Sequence, residues 1–326
     1  MPETNWHGKP YYSLDAWCKN TYQHKCYKVA LNAHMTCPNR DGSLGTRGCI
    51  FCSAGGSGDF AVDLPGSADL SGSSDTGSDI AAQLAAGIRL IQGKVPEPPL
   101  IIAYFQAYTN TYAPLSYLER VYTAALVSPA VCGISIATRP DCLPESVIDL
   151  LVRLKEKFPC KFIWVELGLQ TIHEKTAVFI RRGYALSCFE DAMERLRSAK
   201  IPVIVHVILG LPGENEAKML ETVRYLNVFR PFGVKLQLLH VLSGTDLADH
   251  YQNGEFEVLT KECYLDILIN CLENLSPDIV IHRVTGDGPK KILIAPTWSG
   301  NKRDVLNTLH ALMRKRDSRQ GRLYAE

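Results

Sequence analysis

The sequence predicts an α/β chain folded as a partial (β/α)6 barrel of the TIM type, with a C-terminal extension. Three observations predict it. Short apolar runs alternate with amphipathic segments along the 326 residues. The runs are apolar throughout rather than alternating, as strands are when both faces of a parallel sheet are covered. Motifs rich in Gly, Cys and polar residues fall directly after the runs, at the strand ends where barrels gather their reactive groups.

The strands are read at 26–33 (CYKVALNA), 100–106 (LIIAYFQ), 132–137 (VCGISI), 161–168 (KFIWVELG), 202–209 (PVIVHVIL) and 233–240 (GVKLQLLH). Helices lie between and after them at 79–93, 115–128, 144–157, 186–199, 214–229 and 259–274. Alternating strands and helices imply parallel βαβ units, and six units make three-quarters of an eightfold barrel. This gives an N-terminal extension at 1–25, a barrel core at 26–245 and a C-terminal extension at 246–326 that closes the barrel. Residues 53–78 are rich in Gly, Ser and Asp and read as a long irregular loop. Loops of that length inside compact domains are often functional.

Hydrophobic content of 46% is ample for a buried core. No apolar run approaches the roughly 18 residues needed to span a membrane, and residues 1–20 lack the pattern of a signal peptide. Neither a membrane partner nor export is expected, and the cytoplasm is the expected compartment. A chain of this size does not need its eleven cysteines as a disulfide scaffold. Most read as small buried side chains; Cys142, which follows ATRPD at a strand end, stands apart. The net charge of +1 hides an asymmetry. From Arg283 onward there are ten Lys/Arg against four Asp/Glu, and the remainder carries 25 against 30. A basic terminal segment beside an acidic body suits a polyanionic partner; a solvated charged helix is the alternative.

Cys37, Cys49 and Cys52 read C-x11-C-x2-C in CPNRDGSLGTRGCIFC. Three thiolates can hold three irons of a [4Fe–4S] cube and leave the fourth open to a small molecule. Gly42, Gly45 and Gly48 let the intervening loop fold closely around an inorganic core. A closed zinc site is the alternative, but zinc usually takes four ligands as two short pairs, and only one short pair is present.

Further segments follow in order: YFQAYTNTY (104–112), ATRPD (137–141), VELGLQT (165–171), RRGY (181–184), GLPGE (210–214) and HRVTGDGP (282–289). With the cysteines, they resemble the YhcC/YtqA-like family of radical S-adenosylmethionine (SAM) proteins, whose core is similar to that of the Elongator catalytic subunit. The resemblance implies a [4Fe–4S] cluster whose open iron binds the amino and carboxylate groups of SAM. It also implies reductive cleavage to a 5′-deoxyadenosyl radical that abstracts a substrate hydrogen, with a flavodoxin- or ferredoxin-like electron donor. A modified wobble uridine of transfer RNA is the substrate it suggests, with conversion of a carboxymethylaminomethyl to an aminomethyl group as the reaction. A small-molecule or protein substrate, and a non-enzymatic iron–sulfur or zinc protein, are the competing readings.

By the same resemblance, Gln106, Thr109 and Asn110 are expected near the SAM amino group, Gln170 at its ribose and Arg182 at its carboxylate. Arg suits a carboxylate because its planar donors bond in pairs; neighbouring Arg181 leaves the register open by one. Glu166 shares a strand face with Gly168 and Gln170 and is grouped with the cofactor contacts. His206 is expected at the ribose or as a hydrogen-bonded core residue, and Leu211 with Pro212 beside the adenine. Phe51 shields the cluster or packs in the core. Related enzymes carry a glutamate where this chain has Ala137. Arg139 and Asp141 are expected to pair with each other or to face substrate. His240, His282, Arg283 and Asp287 lie at later strand ends and are the candidates for substrate contact or proton transfer, with capping or barrel closure as the alternative.

Replacing Cys37, Cys49 or Cys52 with Ala should abolish SAM cleavage while the barrel stays folded, because no spare ligand is at hand. Full 5′-deoxyadenosine production by a Cys49→Ala protein would rule the ligand set out. Replacing Cys160 or Cys271 should leave iron content unchanged.

Overall fold

The computed structural model describes residues 5–56, 58–59, 61, 76–93, 98–286 and 288–325. Its centre is a parallel sheet of seven strands: β1 (Cys26–Leu31), β2 (Leu100–Phe105), β3 (Val131–Thr138), β4 (Phe162–Gln170), β5 (Val203–Leu209), β6 (Gly233–Leu238) and β8 (Val280–Arg283). They follow one another in chain order across the sheet. All six strands expected from sequence form. β8, only four residues long and beyond residue 245, adds a seventh beside β6. Helices α2 (Thr76–Ile91), α3 (Leu115–Leu126), α4 (Glu145–Lys157), α6 (Leu186–Ser198), α7 (Glu216–Phe229) and α9 (Lys261–Asn274) match expectation. Asn215 and Thr260 start α7 and α9 by accepting the N–H groups of Lys218 and Cys263.

Four helices have no counterpart among those expected: α1 (Leu14–Tyr22), α5 (Glu174–Phe179), α8 (Asp246–Gln252) and α10 (Lys302–Lys315). The first three are short. In α10 the buried stripe is only Val305, Leu309 and Met313 within a strongly charged segment. A small antiparallel pair, β7 (Val241–Leu242) with β9 (Leu293–Ala295), lies after the C-terminal ends of the strands.

Side-chain reach demonstrates the curl of the sheet. Neighbouring strands lie about 4.8 Å apart, so β2 and β6 would be separated by about 19 Å if the sheet were flat. Yet Tyr104 of β2 meets Lys235 of β6 at 3.0 Å, and Lys28 of β1 meets Glu166 of β4 at 2.8 Å. Only a half-barrel allows both. Its convex face packs Val29, Phe105, Ile134, Val165 and Val205 beneath the helices. At its lower end the concave face is apolar, with Ile102, Trp164 and Ile204. The segment read as an N-terminal extension supplies Trp17 of α1, whose ring meets Phe162, Trp164 and Phe232 edge-on at 5.8, 5.0 and 5.4 Å.

The chain after α10 returns to this lower end. Buried Gln320 donates to the carbonyls of Ser276 (2.7 Å) and Ile279 (2.8 Å) and accepts from the Tyr12 N–H (2.9 Å). One amide thus ties together the N-terminal segment, the start of β8 and the C-terminal segment. Gln320→Ala leaves three backbone groups without partners and should cost on the order of 3 kcal/mol. An unchanged urea midpoint would show that the amide ties nothing.

Candidate active site

A cavity of about 240 Å³ opens at the C-terminal ends of the strands. Cys37, Cys49 and Cys52 line one wall. Their loop is folded by its own residues. The Cys37 carbonyl accepts from the N–H groups of Arg40 (2.7 Å) and Asp41 (3.1 Å). Gly48, at φ +75°, donates to the Asn39 carbonyl at 2.7 Å; a Cβ there would lie 2.9 Å from the Arg40 guanidinium. Arg40 donates to the carbonyls of Cys52 and Ser53. Asn39 donates to the Arg181 carbonyl (2.7 Å) and approaches the Cys49 sulfur (3.4 Å). A hydrogen bond from Cys52, opposed by burial, together with Asn39, Arg139 and Arg40 brings the Cys49 thiol down to about 7. These neighbours favour its thiolate form. Among the described residues, no three His, Cys, Asp or Glu side chains close around a single ion. Three thiols on one cavity wall, with positive groups behind them, fit a polynuclear cluster better than one zinc.

Gln106, Thr109, Gln170, His206, His240 and Arg283 line the same cavity, as does Phe51. Gln170 sits at φ +66°, and its side-chain oxygen is buried without a partner. Gly168 lies close beside it: a Cβ there would lie 2.8 Å from the Gln170 amide and displace it. An orphaned acceptor beside a tight glycine is what a bound polar cofactor would satisfy, so these residues fit SAM. His240 bonds Ser299 at 3.0 Å.

Glu166 also lines the cavity, at its floor. It is fully buried and its carboxylate is already engaged. One oxygen accepts from Lys28 (2.8 Å) and Ser135 (2.5 Å), the other from His206 (2.7 Å) and Lys235. Burial alone would raise its pKa, but Lys235, Lys28 and His206 hold it well below the usual range. Arg182 also differs from expectation. Its donors serve the carbonyls of Tyr184 (3.0 Å), Leu169 (3.3 Å) and Thr171 (2.7 Å), and Glu174 at 3.3 Å. It borders the cavity but braces the β4–α5 turn. Arg181 is half-exposed and pairs with Asp246.

Four described residues expected at the site, Asn110, Leu211, Pro212 and His282, lie outside the lining. Asn110 is buried and donates to the Ala137 carbonyl at 3.1 Å, stapling the loop after β2 to β3. Leu211 packs in an apolar cluster with Ile50, Ile180 and Ile208. His282 is the extra residue of a bulge, where Val234 pairs with Ile281 and Lys235 with Arg283. Its ring turns down against Trp164 and Phe232, and both nitrogens are buried without partners. Asp287 lies outside the described residues, as does most of the loop expected at 53–78. Cys142 is buried and its thiol is pushed up to about 12, chiefly by burial. Arg139 pairs with Asp141 through two bonds of 2.9 and 2.6 Å and lies over the Tyr184 ring.

Sequence reasoning missed Asn39, Arg40, Tyr104 and Lys235. The first two sit inside CPNRDG, where the signal was available. Tyr104 and Lys235 lie in apolar runs and reveal themselves only as the sheet curls.

Comparison with known proteins places this arrangement in context. The chain matches the radical SAM superfamily over residues 43–226 and the Radical_SAM C-terminal domain over residues 231–315. YtqA of Bacillus subtilis is 39% identical over 316 residues, covering 97% of this chain and 93% of the relative. YhcC of Escherichia coli K12 is 32% identical over 281 residues, covering 86% and 85%. Among solved structures, the archaeal Elp3 of Methanocaldococcus infernus aligns with a TM-score of 0.65 at 17% identity. That match covers 90% of this chain and 64% of the archaeal chain.

His206 supplies a pH test. Burial, then Lys235, brings its pKa down to about 4 from 6.5 despite Glu166. The unfolded chain therefore binds the proton first. The stability from neutral His206 is present above about pH 6.5 and is lost as pH falls toward 4. Urea midpoints of the wild type should drop over that window more steeply than those of His206→Gln; parallel slopes would refute the assignment.

Proposed function

This chain belongs to the radical SAM superfamily, and from that premise we propose that it acts on a modified wobble uridine of transfer RNA, converting a carboxymethylaminomethyl group to an aminomethyl group. The superfamily uses a [4Fe–4S] cluster and SAM, and the chain is a radical SAM enzyme. When bound, cluster and SAM supply a one-electron route to hydrogen-atom abstraction. Cys37, Cys49 and Cys52 would hold the cluster; Gln170, Gln106 and Thr109 would hold SAM. A flavodoxin- or ferredoxin-like protein is the electron donor we propose.

The observation that carries the RNA reading is the charge around the cavity mouth. Lys290 and Lys291 are exposed and directly follow Pro289, which lines the cavity. Lys302 and Arg303 are exposed at the start of α10, just after Ser299, the partner of His240. Phosphate contacts dominate nucleic-acid affinity, and a single-stranded anticodon loop can splay a base into a pocket. The basic tail divides in two. α10 spans about 21 Å, and its far end reaches the lower rim, where Arg316 pairs with Asp266 and Arg322 with Glu273. RNA binding is thus proposed at the mouth and not at Arg314, Lys315 and Arg316.

Reversing the charge of Lys290, Lys291, Lys302 and Arg303 should weaken tRNA binding. The slope of log affinity against log salt should flatten by about 0.7–0.9 for each phosphate no longer neutralised. The same reversal at Arg314, Lys315 and Arg319 should leave the slope unchanged. Nucleosides from cells lacking the gene should accumulate the carboxymethylaminomethyl form and lose the aminomethyl form. An unaltered nucleoside profile would end the tRNA reading.

A further inference from the structure

Cys49 lines the cavity, and behind it, outside the lining, lies Asn39, which is 6% exposed. Asn39 is held through both its backbone and its side chain. Its carbonyl accepts from the Gly48 N–H at 2.7 Å, one residue before Cys49. Its side-chain nitrogen donates to the Arg181 carbonyl at 2.7 Å and stands 3.4 Å from the Cys49 sulfur. The Arg181 carbonyl fixes which way the amide faces, because the Asn39 oxygen in that place would meet another acceptor. One N–H therefore goes to Arg181, and the second is left for the sulfur. Gly183, at φ +83°, makes room for the amide: a Cβ there would lie 2.7 Å from the Asn39 oxygen.

The protonation of the sulfur decides what this amide does. As a thiol, Cys49 itself donates to the Arg181 carbonyl, 3.5 Å away. As an iron ligand it is a thiolate and has no proton to give. Sulfur and carbonyl oxygen then face each other as two acceptors. The Asn39 amide lies against both and offers each one N–H. Its burial keeps water from replacing that bridge and strengthens the bonds it makes. An electron added to a cluster increases the negative charge on its sulfurs, so a donor at a sulfur favours the reduced state. Hydrogen bonds to the sulfurs are among the factors that set cluster potentials.

We propose that Asn39 is a positioning residue for the cluster: its side-chain amide bridges the Cys49 thiolate and the Arg181 carbonyl and raises the reduction potential of the cluster. It acts through Cys49. The effect falls on the entry of the first electron and is the same for any substrate, so it stands apart from the tRNA reading.

The test compares anaerobically reconstituted wild type with Asn39→Ala and Asn39→Asp, in redox titrations followed by electron paramagnetic resonance without SAM. In Asn39→Ala the ratio of reduced to oxidised cluster at a fixed potential should fall about tenfold, which is about 59 mV for one electron. Asn39→Asp keeps the size of the side chain but puts an acceptor in place of the donor, so its midpoint should fall at least as far. Asparagine isotope-labelled only at its side-chain nitrogen should give a nitrogen hyperfine coupling to the reduced cluster of the wild type. That coupling should be absent in both variants. Iron content shows that the cluster is whole. An unchanged midpoint in a fully loaded variant overturns the proposal and leaves Asn39 a merely structural clamp. If neither variant holds a cluster, the wild-type coupling decides: its presence supports the bond to sulfur, and its absence overturns the proposal.

Discussion

One buried carboxylate organises the interior of this barrel. Glu166, on the central strand, accepts from Lys28 on β1, Ser135 on β3, His206 on β5 and Lys235 on β6. A buried charge left alone would be severely destabilising, so these partners must converge, and they can do so only if the sheet curls. The cluster adds little net stability over an apolar core of equal volume. Its effect is geometric: it selects a half-barrel over a flatter sheet and holds a polar floor beneath the cavity.

Above that floor, backbone bonds shape the site more than side-chain charge does. Asn39 and Arg40 fold the cysteine loop onto carbonyls of Arg181, Cys52 and Ser53. Arg182 and Arg139 fasten the turns after β4 and β3, Arg139 by donating to the Arg182 carbonyl at 3.1 Å. Both arginines border the cavity, and Arg139 brings positive charge toward Cys49, yet their donors are largely committed to the scaffold. Such commitment keeps the wall rigid, which a site for two cofactors requires.

The charge of the tail illustrates how composition and placement differ. Ten Lys/Arg from Arg283 onward look like one basic segment in sequence. In the fold, α10 runs antiparallel to the strands and separates them. Lys302 and Arg303 begin α10 just after Ser299, the partner of His240, while Arg316 and Arg322 pair near its far end with Asp266 and Glu273. Arg283 belongs to neither group, since it lines the cavity itself.

The sequence by itself determined the parallel α/β architecture, because continuous apolar runs and amphipathic helices are local patterns with a fixed period. It also brought Cys37, Cys49 and Cys52 to one cavity wall, because they lie within one short loop whose folding depends on its own glycines and CPNRDG. Several roles were decided only by tertiary structure. Whether Glu166 meets a cofactor or two lysines depends on Lys28 and Lys235, 138 and 69 residues away. Whether His282 faces the cavity or Trp164 depends on a one-residue bulge against β6. Arg182 looked like a ligand because an arginine's chemistry is visible in sequence, whereas the carbonyls that consume its donors are not. Local spacing carries information about groups that fold together. The direction of a side chain inside a curled sheet is set by strands that meet only once the whole barrel has formed.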